Sequence, residues 1–186
     1  MIRLFDISFS ILGLMLLIPV MIFLFFLKEV FNADISFFVQ ERIGKNKLPF
    51  NIIKLRTMSI DAPNEASHKV SVNYITPAGR VLRKTKLDEL PQLWNVLVGD
   101  MSLVGPRPCL PIQKELIKER EKKGVFTVRP GITGLSQINA IDMSDPKIIS
   151  EIDAKMVSSM NLRLYFYCIF RTITGSGFGD KTKREQ

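Results

Sequence analysis

Two carboxylates stand side by side in Lys86-Leu87-Asp88-Glu89-Leu90-Pro91-Gln92, and three short segments elsewhere place cations beside turn-forming residues. Adjacent acids can divide labour: one attacks an electrophile while its neighbour binds a divalent cation, which screens the phosphate oxygens that would repel an attacking anion. The same pair can also be an ordinary helix cap, because Pro91 is harmless only in a first helical turn and so places Asp88 near an N-cap. The cations are Arg107 in Gly105-Pro106-Arg107-Pro108, Arg129 in Val128-Arg129-Pro130-Gly131-Ile132-Thr133-Gly134, and Lys54 with Arg56 at alternate positions of Lys54-Leu55-Arg56-Thr57-Met58. Planar guanidinium groups match phosphate oxygens bidentately, and residues two apart on a strand share a face. Each arginine taken alone suits loop bracing as well as ligand binding, since Arg-Pro turns are common. Gln137, which follows the second turn, is a further substrate-binding candidate.

Composition removes other chemistries. A single histidine, His68, excludes any site that needs two. Cys109 and Cys168 lie far apart without a C-x-x-C, which argues against a zinc ribbon or a disulfide framework. There is no P-loop, and the glycines of Gly175-Ser176-Gly177-Phe178-Gly179 precede no helical pattern, so that stretch reads as a tail. Lys and Arg outnumber Asp and Glu by 26 to 18 in 186 residues, a formal charge of +8. The basic run Lys181-Thr182-Lys183-Arg184 suits anionic lipid headgroups.

The elements that must position these groups begin with an apolar stretch. Residues 7–27 contain no ionisable side chain, and as a straight helix they would reach about 32 Å, enough to cross a hydrocarbon core. Asp6 beside Arg3, and the close on Phe-Phe-Leu-Lys-Glu, speak against a cleaved signal peptide. Basic residues follow the stretch far more than they precede it, which puts the remainder in the cytoplasm. Pro19 near its middle implies a bend, compatible with a kinked spanning helix or a re-entrant hairpin. Beyond residue 28 the chain reads as one basic α/β domain, mostly helical. Strands are expected over 35–39 and 50–55 about a Gly44 to Pro49 turn, and helices over 78–84 and 89–98. A further helix over 111–123 has a thin apolar stripe of Ile112, Leu116 and Ile117 and mixed charges that read as a solvated face. One or two more helices are expected over 146–170. A lipid-anchored body makes nucleic acid a poor partner, and a membrane-anchored lipid-binding or scaffold protein is the alternative to an enzyme.

Six motifs then occur in one order: the apolar helix with its central proline; Phe38-Val39-Gln40-Glu41-Arg42-Ile43-Gly44; Lys54-Leu55-Arg56-Thr57-Met58; Leu87-Asp88-Glu89-Leu90-Pro91-Gln92; Gly99-Asp100-Met101-Ser102 with Gly105-Pro106-Arg107-Pro108; and Arg129-Pro130-Gly131-Ile132-Thr133-Gly134. Together they resemble the monotopic phosphoglycosyl transferases of the bacterial sugar transferase family, in its minimal catalytic form, over about residues 1–153. The resemblance implies transfer of a sugar 1-phosphate from a UDP-sugar to undecaprenyl or another polyprenol phosphate, with release of UMP, at the start of surface glycan assembly. It implies Asp88 as the nucleophile of a covalent phosphosugar intermediate and Glu89 as a Mg²⁺ ligand. It further implies Arg107 and Arg129 as phosphate or nucleotide binders, supported by Lys54 and Arg56. Finally, it implies a re-entrant helix over 1–28 broken at Pro19, interfacial amphipathic helices, and a catalytic domain over 29–186 on the cytoplasmic face of the bacterial inner membrane, within reach of downstream glycosyltransferases.

Overall fold

The polar residues Gln40 and Arg42 face inward on the first strand, with the charged Glu41 exposed between them. β1 (Phe37–Ile43) pairs antiparallel with β2 (Pro49–Leu55), from Phe37 opposite Leu55 to Ile43 opposite Pro49. Gln40 and Arg42 are buried, whereas Phe37 and Val39 are exposed. A reading that follows apolar residues stops at Val39, while the ladder continues through the polar positions, so the first strand lies later than the expected 35–39. In this computed structural model the described residues are 1–31, 36–63 and 70–175. Ile35, His68 and the tail from residue 176, with its glycines and basic run, lie outside them.

α1 (Ile2–Phe31) is one continuous helix with Pro19 inside it. Pro19 removes one i→i−4 bond, the one to the Met15 carbonyl, without ending the helix. The stretch Ile2–Phe23 is long and apolar enough to cross a membrane by length and composition, and with 17% of its most apolar window buried it is no core helix. Its amino end is docked on the body. Asp6, 2% exposed, accepts hydrogen bonds from Ser102 Oγ (3.0 Å), Leu103 N (3.0 Å) and Tyr165 Oη (2.9 Å). Burial and the neighbouring Asp6 carboxylate push the Tyr165 phenol well above its ordinary range.

The body comprises α2 (Pro77–Thr85), α3 (Gln92–Val98), β3 (Ser102–Val104), α4 (Lys114–Lys122), β4 (Gly131–Thr133), α5 (Leu135–Ile138), α6 (Pro146–Ser158) and α7 (Leu162–Ile173). The one or two helices expected over 146–170 are two, with Asp145 capping α6 and Asn161 capping α7. β3 and β4 pair in parallel, Ser102 opposite Gly131 and Val104 opposite Thr133. Apolar packing is divided among small clusters, around Tyr165 and Cys168, around Val96 and Met101, and around Leu116 and Ile149. Burial pushes the Cys168 thiol up to about 11. On α3 and α7, Trp94, Val98, Phe170 and Ile173 remain exposed.

The charges of α4 are not all solvated. Arg120 is 1% exposed, since it follows Leu116 by four positions and continues the apolar stripe inward. Lys47 does pair with Glu121 at the surface, as the expected solvated face requires.

Candidate active site

The acid pair sits where two helices fail to join. Thr76 caps α2, its Oγ1 accepting from Gly79 N at 2.9 Å, and α2 ends at Lys86 in the left-handed region, φ 58°. A 3-10 turn over Leu87–Glu89 follows, and α3 starts only after Pro91. Leu90, Leu93 and Trp94 each donate to the carbonyl three residues back, at 3.3, 3.0 and 3.0 Å. The helix expected from residue 89 therefore begins at Gln92, and Asp88 is not its cap, which is Pro91. With three residues per turn, neighbouring side chains diverge by about 120°. Asp88 turns inward and is 9% exposed, while Glu89 faces Arg107.

Arg107 donates through Nη1 and Nη2 to Glu89 Oε1, each at 3.3 Å. These are long for charge-assisted bonds, which run about 2.7–2.9 Å, and both side chains are partly exposed, at 25% and 17%. Arg107 rides on a rigid frame: Gly105 N donates to Thr133 O (2.8 Å), Gly131 N to Pro106 O (2.9 Å) and Ser102 N to Pro130 O (2.8 Å). A Cβ on Gly131 would stand 2.0 Å from Gly105 N, so only glycine lets the two basic turns lie backbone to backbone. Arg129, on the second turn, donates through Nε to Gly99 O at 2.6 Å. Arg3 donates to Val96 O (2.6 Å) and Leu97 O (3.0 Å). Both arginines thereby satisfy carbonyls at the end of α3.

Lys54 and Arg56 share a face, as alternation requires: Lys54 Nζ lies 5.6 Å and Arg56 Cζ 5.3 Å from the Phe38 ring centre. They line a cavity of about 240 Å³ with Phe38, Thr57, Met58 and Arg83. No carboxylate is among its described lining residues. Arg83 Nε donates to Thr57 Oγ1 at 2.8 Å. β2 also packs against the Leu87–Glu89 turn, so the cavity and the acid pair flank one strand.

No group of three or more His, Cys, Asp and Glu side chains converges among the described residues. Adjacent carboxylates suit Mg²⁺, which binds through one or two carboxylates and completes its shell with water and substrate phosphates rather than needing an all-protein cage.

A family model described as bacterial sugar transferase matches residues 1–178. The chain belongs to the bacterial sugar transferase family. Among its relatives, the UDP-N-acetylgalactosamine-undecaprenyl-phosphate N-acetylgalactosaminephosphotransferase of Aeromonas hydrophila is 33% identical, over 94% of this chain and 43% of that protein. The UDP-glucose:undecaprenyl-phosphate glucose-1-phosphate transferase of Caulobacter vibrioides is 40% identical, over 63% of this chain and 48% of its own length. The exopolysaccharide production protein ExoY of Sinorhizobium fredii is 31% identical, over 92% of this chain and 83% of its own. The chain thus spans less than half of the first two and most of the third.

In this member of the family the residues named from sequence fall into separate places. Glu89 and Arg107 meet, with Asp88 on the same turn. Lys54 and Arg56 line the neighbouring cavity. Arg129 reaches the end of α3, and Gln137, partly buried, accepts through Oε1 from Ser136 Oγ at 3.0 Å. Sequence reasoning missed Arg83, Asn95, Arg120 and Asp153. Asn95, 1% exposed, ties α3 to β2 by accepting from Ile53 N (3.0 Å) and donating to Asn51 O (2.8 Å). Its signal was available: a polar residue among Leu93, Val96 and Leu97, on a helix with few other polar groups.

Proposed function

We propose that this protein transfers a sugar 1-phosphate from a UDP-sugar to a polyprenol phosphate, with undecaprenyl phosphate as the acceptor and UMP as the leaving product, to begin a surface glycan. The observation that carries the reading is the Glu89–Arg107 pair beside the inward Asp88, in a chain with relatives named for sugar phosphate transfer to undecaprenyl phosphate. Asp88 attacks the β-phosphorus of the UDP-sugar. A new acyl phosphate bond forms, the bond from that phosphorus to the bridging oxygen breaks, and UMP leaves with the oxygen and its electron pair. An oxygen of the polyprenol phosphate then attacks the same phosphorus, and the electron pair of the breaking acyl phosphate bond returns to Asp88 as carboxylate.

Burial of Asp88 keeps water from competing for the intermediate. Arg107, released from its loose pair with Glu89, binds the charge that develops on the phosphoryl oxygens. Glu89 is then available to Mg²⁺, which when bound supplies neutralisation of phosphate charge. Lys54 and Arg56 receive phosphate from the adjoining cavity, and Arg129 and Gln137 complete the substrate-binding set. Detergent-purified protein should release UMP from one member of a UDP-sugar panel only with Mg²⁺ and undecaprenyl phosphate present in turnover amounts, and Asp88→Asn should release none. Full turnover by Asp88→Asn would refute the covalent route.

The same reading places α1 in one leaflet of the bacterial inner membrane. The bonds of Arg3 and Asp6 to the body support this, because a helix that crossed the bilayer would carry its first turn away from α3, β3 and α7. The exposed apolar side chains of α3 and α7 would then rest at headgroup level on the cytoplasmic face, where later glycosyltransferases collect the product. A cysteine introduced at residue 3 should react only with reagent reaching the cytoplasmic side of sealed vesicles. Reaction from the periplasmic side would establish a spanning helix instead.

A further inference from the structure

Prolines at 106 and 108 leave the Arg107 loop a single backbone N–H among three residues, so its position has to be fixed through its carbonyls. Each of them is held. Pro106 O accepts from Gly131 N at 2.9 Å, Arg107 O from Arg120 Nη1 at 2.7 Å, and Pro108 O from Arg42 Nη1 at 3.2 Å, while Cys109 O accepts from Ile43 N at 2.9 Å. Two of the four donors are guanidinium groups, on residues that are 1% and 9% exposed.

Both guanidinium groups are themselves oriented from behind. Arg120 Nη2 donates to Asp153 Oδ2 at 2.6 Å, and the two side chains are 2% and 0% exposed. Asp153 Oδ1 lies 3.0 Å from Ser136 Oγ, the hydroxyl at the start of α5 just after the second basic turn. Arg42 Nη2 donates to Gln40 Oε1 at 2.6 Å. Stability alone is a poor account of such an arrangement, because well-packed apolar side chains of similar volume often match or exceed a buried ion pair. Charge balance alone would be met by lysine. What arginine adds is a planar fork that reaches Asp153 and the Arg107 carbonyl together.

We propose that Arg120, fixed by Asp153, and Arg42 are positioning residues that aim the Arg107 guanidinium at the phosphate beside Asp88 and Glu89. The proposal rests on the reading of Arg107 as a phosphate-binding residue given above. Arg120→Lys keeps the charge opposite Asp153 but cannot hold both partners in one plane. Its kcat for UMP release should fall by about 10- to 100-fold, the scale expected when a reacting group is misplaced by about 1 Å, with KM for the UDP-sugar changed far less.

The test is a double-mutant cycle on the full chain in detergent, with wild type, Arg120→Lys, Arg107→Ala and the double variant, thermal unfolding being recorded for each. Arg42→Lys is measured in the same way and stands in if Arg120→Lys does not fold. If Arg120 acts through Arg107, its substitution lowers kcat in the wild-type background and leaves the residual kcat of Arg107→Ala unchanged. An equal fold loss in both backgrounds, or a loss that only tracks the drop in Tm, would overturn the assignment while leaving the transferase reading intact. Absence of UMP release by wild type would overturn that reading, and this assignment with it.

Discussion

The loop that carries Arg107 and the turn that carries Asp88 and Glu89 meet across a 3.3 Å pair, yet the chain holds them by opposite means. On the cationic side, successive carbonyls from Pro106 to Cys109 are taken by backbone amides or buried guanidinium groups, and two glycines stack the basic turns without intervening side chains. On the acidic side, a 3-10 turn is entered through a lysine in the left-handed region and left through a proline, with single bonds near 3.3 Å. A site built this way presents a fixed electrophile-binding arm to an adjustable pair of carboxylates. On the proposed reading, the reorganisation that accompanies substrate binding falls on the carboxylates, and the arginine proposed to meet developing charge is already in place.

Removing the fixed arm should have the largest effect. Arg107→Ala is expected to lower kcat/KM by about 100- to 1000-fold, the range for loss of one preorganised donor, with Tm recorded beside it. A Tm drop with modest kinetic loss would mean that Arg107 braces structure. Next, Gly131→Ala drives a Cβ to 2.0 Å from Gly105 N and should destabilise the protein by about 2–4 kcal/mol, measured by denaturant unfolding. On the adjustable side, Lys86→Gly should change stability by less than about 1 kcal/mol, because glycine accepts φ 58° without strain while the bond from Lys86 Nζ to Thr172 O is lost. Comparable costs at positions 131 and 86 would erase the contrast between the two sides.

The smallest effect concerns the interior behind both. Burial raises the thiols of Cys109 and Cys168, the latter to about 11. Both are therefore less ionised than ordinary cysteines at mildly alkaline pH, and the folded protein should resist a thiol-alkylating reagent at pH 8 while the denatured chain takes up two equivalents. Rapid labelling of folded protein would show that the clusters around these cysteines open readily.

The sequence disclosed the candidate acting groups better than what holds them. Asp88, Glu89 and Arg107 stand out because their chemistry depends on residue type, and the turns that present them are marked by proline and glycine. The supporting pieces left weaker traces. Gln40 and Arg42 occupy inward strand positions, so apolar alternation ends the strand too early. Arg120 looks like part of a charged helical surface until its position four residues after Leu116 is taken seriously, and its partner Asp153 lies on another helix, a distance that periodicity does not register. β3 and β4 are three residues each, too short to show a period, although they decide which turns become neighbours. At Pro19 the helix loses one bond and continues, and residue type alone does not tell how far such a helix bends.

The most direct measurement is the intact mass of the purified protein after incubation with Mg²⁺ and a panel of UDP-sugars, without the lipid acceptor. The account predicts that one sugar adds a single phosphosugar to the wild-type chain, that Asp88→Asn remains unmodified, and that undecaprenyl phosphate discharges the adduct. Turnover to UMP and lipid-linked sugar with no such adduct, or an adduct that persists on Asp88→Asn, would contradict it.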